Sequence, residues 1–148
     1  MELPQLIDPI ECLKDQQVFE GSLDSNSLPR LSEVLSEANT AIPYRLTFSS
    51  DEAGRCIVHC LITTCLKVVC QRCTGSMDLP VKIDSSLCVI ANDRQAEKLP
   101  KRYEPLVTEA GMVSPQDVVE EELLLAIPMI PRHSDADCPV NLSNELLN

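Results

Sequence analysis

Tryptophan is absent from the sequence, and the aromatic side chains are limited to two Tyr and two Phe, 3% of the residues. Proteins that stack successive bases on aromatic faces need more than this, which argues against an aromatic nucleic-acid platform. Only four glycines occur and none are clustered, so a glycine-rich phosphate loop is excluded. Basic residues are scarce too: 12 Lys and Arg stand against 23 Asp and Glu, for a net charge of -11. Such a field repels phosphate backbones at long range and suits a basic protein surface. Lys98, Lys101 and Arg102 form one small basic island, enough to touch a phosphate but not to build an RNA-binding surface. No run approaches the roughly 20 apolar residues of a membrane span, and Met1-Glu2-Leu3-Pro4 lacks the basic start of a signal peptide. A cytoplasmic location is expected, with no membrane partner and no small-molecule substrate.

What the sequence does contain is enough for a core. Hydrophobic residues make up 44% of 148, so one domain over residues 1–148 is expected, with its core at about 15–138 and flexible ends. With so few aromatics, aliphatic and cysteine side chains must fill that core. Eight cysteines, at 12, 56, 60, 65, 70, 73, 88 and 138, would suggest disulfides in a secreted protein. In a reducing compartment they read as small buried hydrophobes plus one metal site.

The local patterns are those of an α+β protein. Residues 1–15 read as an arm or a first short strand, and residues 17–23 as an extended edge piece. Asn26 or Ser27 as cap, Pro29 in the first turn, and apolar residues at 28, 31, 34, 35 and 38 predict an amphipathic helix over 28–38. Alternation then predicts strands at 42–48, 55–70 and 79–91, joined by short turns into an antiparallel meander. On the longest strand Cys56, Val58, Cys60, Ile62, Leu66, Val68 and Cys70 share one face, with Thr64 the only hydroxyl among them. Residues 92–98 have a short helical look, and 100–113 form a connection of little period. Ser114, Pro115 and Asp117 start a second helix whose residues Val118, Val119 and 123–127 are apolar. Its Glu120, Glu121 and Glu122 read most simply as a solvated face, or else as a surface for a basic partner.

The chemistry centres on Cys70-Gln71-Arg72-Cys73-Thr74-Gly75. An apolar strand that stops at a Cys-x-x-Cys turn presents two sulfurs as half of a zinc site. With His133 and Cys138 it makes a closed three-thiolate, one-imidazole set that would pin the C-terminal loop to the sheet. The same residues also read as ordinary turn cysteines beside a loop histidine. A redox reading of Cys70 and Cys73 needs a helix N-terminus to activate the first thiol, and the pair is followed by a turn and another strand. His59 reads as structural. A nuclease reading lacks the clustered carboxylates of two-metal catalysis.

Three groups of residues resemble the YceD-like family of large ribosomal RNA subunit accumulation proteins. They are Val69-Cys70-Gln71-Arg72-Cys73, then Gln95-Ala96-Glu97-Lys98-Leu99-Pro100 with Tyr103-Glu104-Pro105, then Val119-Glu120-Glu121-Glu122 running on to Pro128 with Pro131, His133 and Cys138. The resemblance implies a non-catalytic ribosome-biogenesis factor that supports accumulation or processing of large-subunit (23S) ribosomal RNA. The two cysteines, His133 and Cys138 belong to the shared pattern, which strengthens the zinc reading. Relatives often run on into an Asn-Pro-Phe and lysine-rich tail; the sequence ends at Asn148, so RNA contact through such a tail is not expected. The combined expectation is a bent antiparallel β-sheet, partly barrel-like, packed with two amphipathic helices. Its function is that of an acidic adaptor on a basic ribosomal or assembly protein, with ribosomal RNA contacted only indirectly and zinc in a structural role. The alternative is a thiol-disulfide protein using Cys70 and Cys73.

Overall fold

The computed structural model describes residues 4–37 and 40–128. Five strands form one sheet in the order β1-β2-β3-β4-β5: β1 Val18–Asp24, β2 Ala41–Ser50, β3 Cys56–Val69, β4 Ser76–Ile90 and β5 Glu104–Val107. Strands β2, β3 and β4 form the antiparallel meander that alternation and short turns predict, and β1, reached across residues 25–40, adds antiparallel to β2. Ile42, Tyr44, Leu46 and Phe48 of β2 are buried on the same face as Val58, Cys60 and Ile62 of β3, with Leu46 directly opposite Cys60. Thr64, the lone hydroxyl on that face of β3, is satisfied by donating to the Ala41 carbonyl at 2.9 Å. Gly21 sits opposite Tyr44, and a Cβ there would lie 3.1 Å from the Tyr44 hydroxyl, so the tyrosine ring occupies the space a side chain would need.

Two features depart from the expected all-antiparallel, partly barrel-like sheet. β5 pairs with β4 in parallel, Leu87 opposite Glu104 and Ile90 opposite Val107, so the sheet is mixed. It is also open, with β1 and β5 at opposite ends of the strand order. A parallel partner requires a crossover. Residues 91–103 supply it, including the 3-10 turn Asp93–Lys98, and they lay Ala96, Leu99 and Tyr103 against Ile57, Cys88 and Ile90. Four residues with only Leu106 partly buried leave too little alternation to mark β5 as a strand.

There are three α-helices among the described residues rather than two. Residues Pro9–Lys14 form α1 where an arm or strand was expected; Asp8 caps it by accepting from the Ile10 and Glu11 amides. Cys12 is its only buried non-proline residue, and one buried position in six residues shows no period. The helix α2 is shorter than the 28–38 expected, spanning Pro29–Val34, and it buries Leu31 completely. Val34 is exposed, and Leu35 has left the helix to bridge Val68 of β3. The helix α3, Pro115–Ala126, starts as its sequence dictates, with Ser114 Oγ accepting from the Asp117 amide at 3.3 Å. It packs Val118, Val119 and Leu123 into the core formed by the inner sheet face and α2.

Candidate functional site: a cysteine turn and an acidic groove

Cys70 and Cys73 lie where the sequence places them, on the turn between β3 and β4. The Cys70 amide donates to Gly75 O at 2.9 Å and the Thr74 amide to Cys70 O at 2.8 Å, closing the turn with Thr74 in the left-handed region at φ 60°. Cys70 is fully buried and Cys73 half-buried. The pair leads straight into β4, so among the described residues no helix begins at either cysteine, and buried Cys70 is closed to a disulfide substrate. His133 and Cys138 lie outside the described residues. Among the described residues no three or more His, Cys, Asp or Glu side chains stand together as a metal site. The other buried cysteines are core filler: burial pushes Cys56 up to about 11 and Cys60 up to about 12. His59 bonds Asp84 across β3 and β4 at 2.5 Å.

The carboxylates of α3 are not a solvated face. Glu120 and Glu122 are 3% and 6% exposed, whereas Leu125 is 68% exposed. Helical geometry explains this. With Pro115 at the start, the positions three, four, seven and eight residues on are Val118, Val119, Glu122 and Leu123, and these are the buried stripe. Leu125, seven residues on from Val118, lies beside that stripe at the groove edge and is left exposed. The run of three leucines suggested a face, but a face recurs at three and four residues and is never contiguous.

Each buried glutamate has its own environment. Glu120 reaches α2: its Oε2 accepts from the Arg30 amide at 2.9 Å and the Leu31 amide at 3.2 Å, while Oε1 accepts from Arg30 Nε at 3.1 Å. Leu28, at the N-cap of α2, has no side chain able to do this. Glu120 is thus a cap supplied from α3, and Glu121 holds the other arm of the same guanidinium at 3.1 Å.

Glu122 points at β5. Burial first, and then the neighbouring carboxyl of Glu104, push it up to about 7. Cys60 feels the charge of both residues. Glu122 Oε1 is buried without a hydrogen-bond partner among the described residues. Glu104 is held in place by the residue before it. Tyr103 donates to Asp51 Oδ2 at 3.0 Å, Arg102 lies 4.8 Å from the centre of the Tyr103 ring, and Arg102 also pairs with Glu52. Burial pushes the Asp51 carboxyl up, but the Arg55 amide and guanidinium, the Tyr103 hydroxyl and the Ala53 amide outweigh it and hold Asp51 at about 2. Arg102, expected in a basic island, is therefore spent on an internal latch.

Between β5 and α3 runs a groove. A cavity of about 340 Å³ is lined by Leu87, Leu106, Val118, Leu125 and the two carboxyls, and it shares Leu106, Val118 and Glu121 with a second of about 480 Å³ that extends past Val107 to Leu6. Its floor is largely apolar and its rim carries carboxyls, an arrangement that suits a cation with an apolar stem. The sequence carries the signal for this site in the stripe through Glu122, which faces inward although the three consecutive glutamates suggest a solvated face.

The family described as Large ribosomal RNA subunit accumulation protein YceD matches residues 58–145. That span contains Cys70, Cys73, Glu104, Glu120 and Glu122. The chain is also 28% identical over 147 residues to the large ribosomal RNA subunit accumulation protein YceD of Haemophilus influenzae, covering 99% of this chain and 84% of that one. No solved structure matches. With the match extending over more than half of its residues, the chain belongs to the YceD family of large ribosomal RNA subunit accumulation proteins.

Proposed function

We propose that this chain supports the accumulation of large-subunit ribosomal RNA in the cytoplasm, by docking on a basic protein of the assembling ribosome and not through a reaction of its own. Family membership carries the process. The route is supported by charge: a net -11 disfavours direct contact with RNA, and the described residues present carboxylates around an apolar groove. The test is a bacterium deleted for its own relative. The intact chain should restore 23S ribosomal RNA, and a basic protein should copurify with it at low salt and dissociate as salt is raised. Tight binding to bare ribosomal RNA fragments, with no protein partner retained, would reverse the reading.

Zinc has a structural place in the same reading, held by Cys70 and Cys73 of the turn together with His133 and Cys138. Two thiols on one tight turn, one buried and one half-buried, fit half of a tetrahedral set. Four protein ligands would leave no open position, so the ion would tie the residues beyond α3 to the β3-β4 turn without catalysing. Elemental analysis of the purified chain should find about one zinc per molecule, lost in Cys70→Ser. Metal-free protein with one hyper-reactive thiol would favour the redox alternative instead.

A further inference from the structure

Three observations coincide at the groove between β5 and α3. The first is a carboxyl kept from water without a full set of partners: Glu122 is 94% buried, and its Oε1 has no hydrogen-bond partner among the described residues. A buried acid in that condition costs stability, and a donor brought from outside would recover it. The second is exposed apolar surface in the same place. Leu125, Val107 and Leu6, which line the two halves of the groove, are 68%, 42% and 60% exposed. The third is the sign of the rim, where Glu104, Glu121, Asp117 and Glu109 face one cation, Arg30, already engaged by Glu120 and Glu121.

We propose that this groove is the docking site for a basic amphipathic segment of a partner protein. One Arg or Lys head of that segment enters beside Glu104 and Glu122, and its apolar side chains cover Leu106 and Leu125. A long basic side chain meets both demands of the site, because its stem lies on apolar walls while its head donates to carboxylates. The described residues do not gather the ligands of a bare metal ion. RNA would bring phosphates against the acidic rim, and a second copy would set like carboxylates face to face. The inference rests on the reading of the chain as a protein-docking factor and supplies the surface that reading lacks.

The probe is a labelled helical peptide of about 16 residues, long enough to hold a helix by itself, with Leu at every third and fourth position and Arg on both flanks. Binding to the full chain at low salt should weaken about tenfold or more in Leu125→Asp and in Glu122→Gln, and remain unchanged in Glu97→Gln on the far side of the sheet. A scrambled peptide of the same charge should bind at least about tenfold more weakly than the patterned one. Equal binding by the scrambled peptide, unaltered affinity in both groove variants, displacement by single-stranded RNA, or self-association abolished by Leu125→Asp would each overturn the proposal. Complementation separates the two claims. If the intact chain fails to restore 23S ribosomal RNA, the functional reading falls. If the intact chain succeeds and the Leu125→Asp, Glu122→Gln double variant succeeds equally, the groove is not the docking surface.

Discussion

Glu120→Ala is expected to lower the unfolding free energy by about 2–3 kcal/mol, read as a shift in urea midpoint without a change in slope. The substitution takes the acceptor from two amides at the start of α2, one of which belongs to the fully buried Leu31. A lost cap costs roughly 1 kcal/mol and an unsatisfied buried amide about 1–3, while release of a buried charge offsets part of that sum. Glu120→Gln keeps an oxygen for both amides, so it should cost only about 1 kcal/mol. Glu121→Ala supplies the comparison. Its pair with Arg30 is exposed on both sides, which limits the loss to about 0–1 kcal/mol. Equal losses for the two alanine variants would show that Glu120 is a surface ion-pair residue and not a cap.

The neighbouring acid is expected to behave in the opposite way: Glu122→Gln should stabilise the fold at pH 8 by about 1–2 kcal/mol and be close to neutral at pH 4. The folded chain raises Glu122 to about 7, well above the roughly 4.3 of a free glutamate. Stability linked to this group is therefore fully present below about 4.3 and is lost as pH rises through about 7. A neutral amide abolishes that loss. The full difference would convert to about 4 kcal/mol, and relaxation of the polar surroundings about the charged carboxylate reduces it to the range given. Thermal melts of both proteins from pH 4 to 8 measure the difference, and curves that run parallel would remove the buried, raised Glu122 carboxyl from the account. A residue whose loss strengthens the fold while weakening a contact is retained for the contact. The stability profile and the peptide titration therefore test one carboxyl from two sides.

How much of this could be read from residues alone differed by element. Strands β2, β3 and β4 were legible because alternation persists over ten to fifteen residues, and α3 because Ser114 and Pro115 mark its start. The edge pieces were harder. A helix as short as α1 contributes one inward residue, and β5 owes its existence to the crossover beneath it. The site was half visible. Cys70 and Cys73 announce themselves by spacing, whereas Glu122 required an exact phase for α3, and a frame set by the leucine run reverses inside and outside. The cap of α2 was hidden for another reason. Asn26 and Ser27, the caps the sequence suggests, fall short of the helix; Leu28 holds the N-cap, and a missing local partner does not say which distant residue replaces it.

That replacement has a consequence for the order of events during synthesis. The acceptor for the Arg30 amide lies 90 positions further along the chain, so α2 leaves the ribosome before its cap has been translated. Six residues without a cap do not hold a helix in water. The segment around Leu31 must wait, its apolar side chain uncovered, until α3 arrives, and the last described helix becomes the step that closes the first half of the molecule.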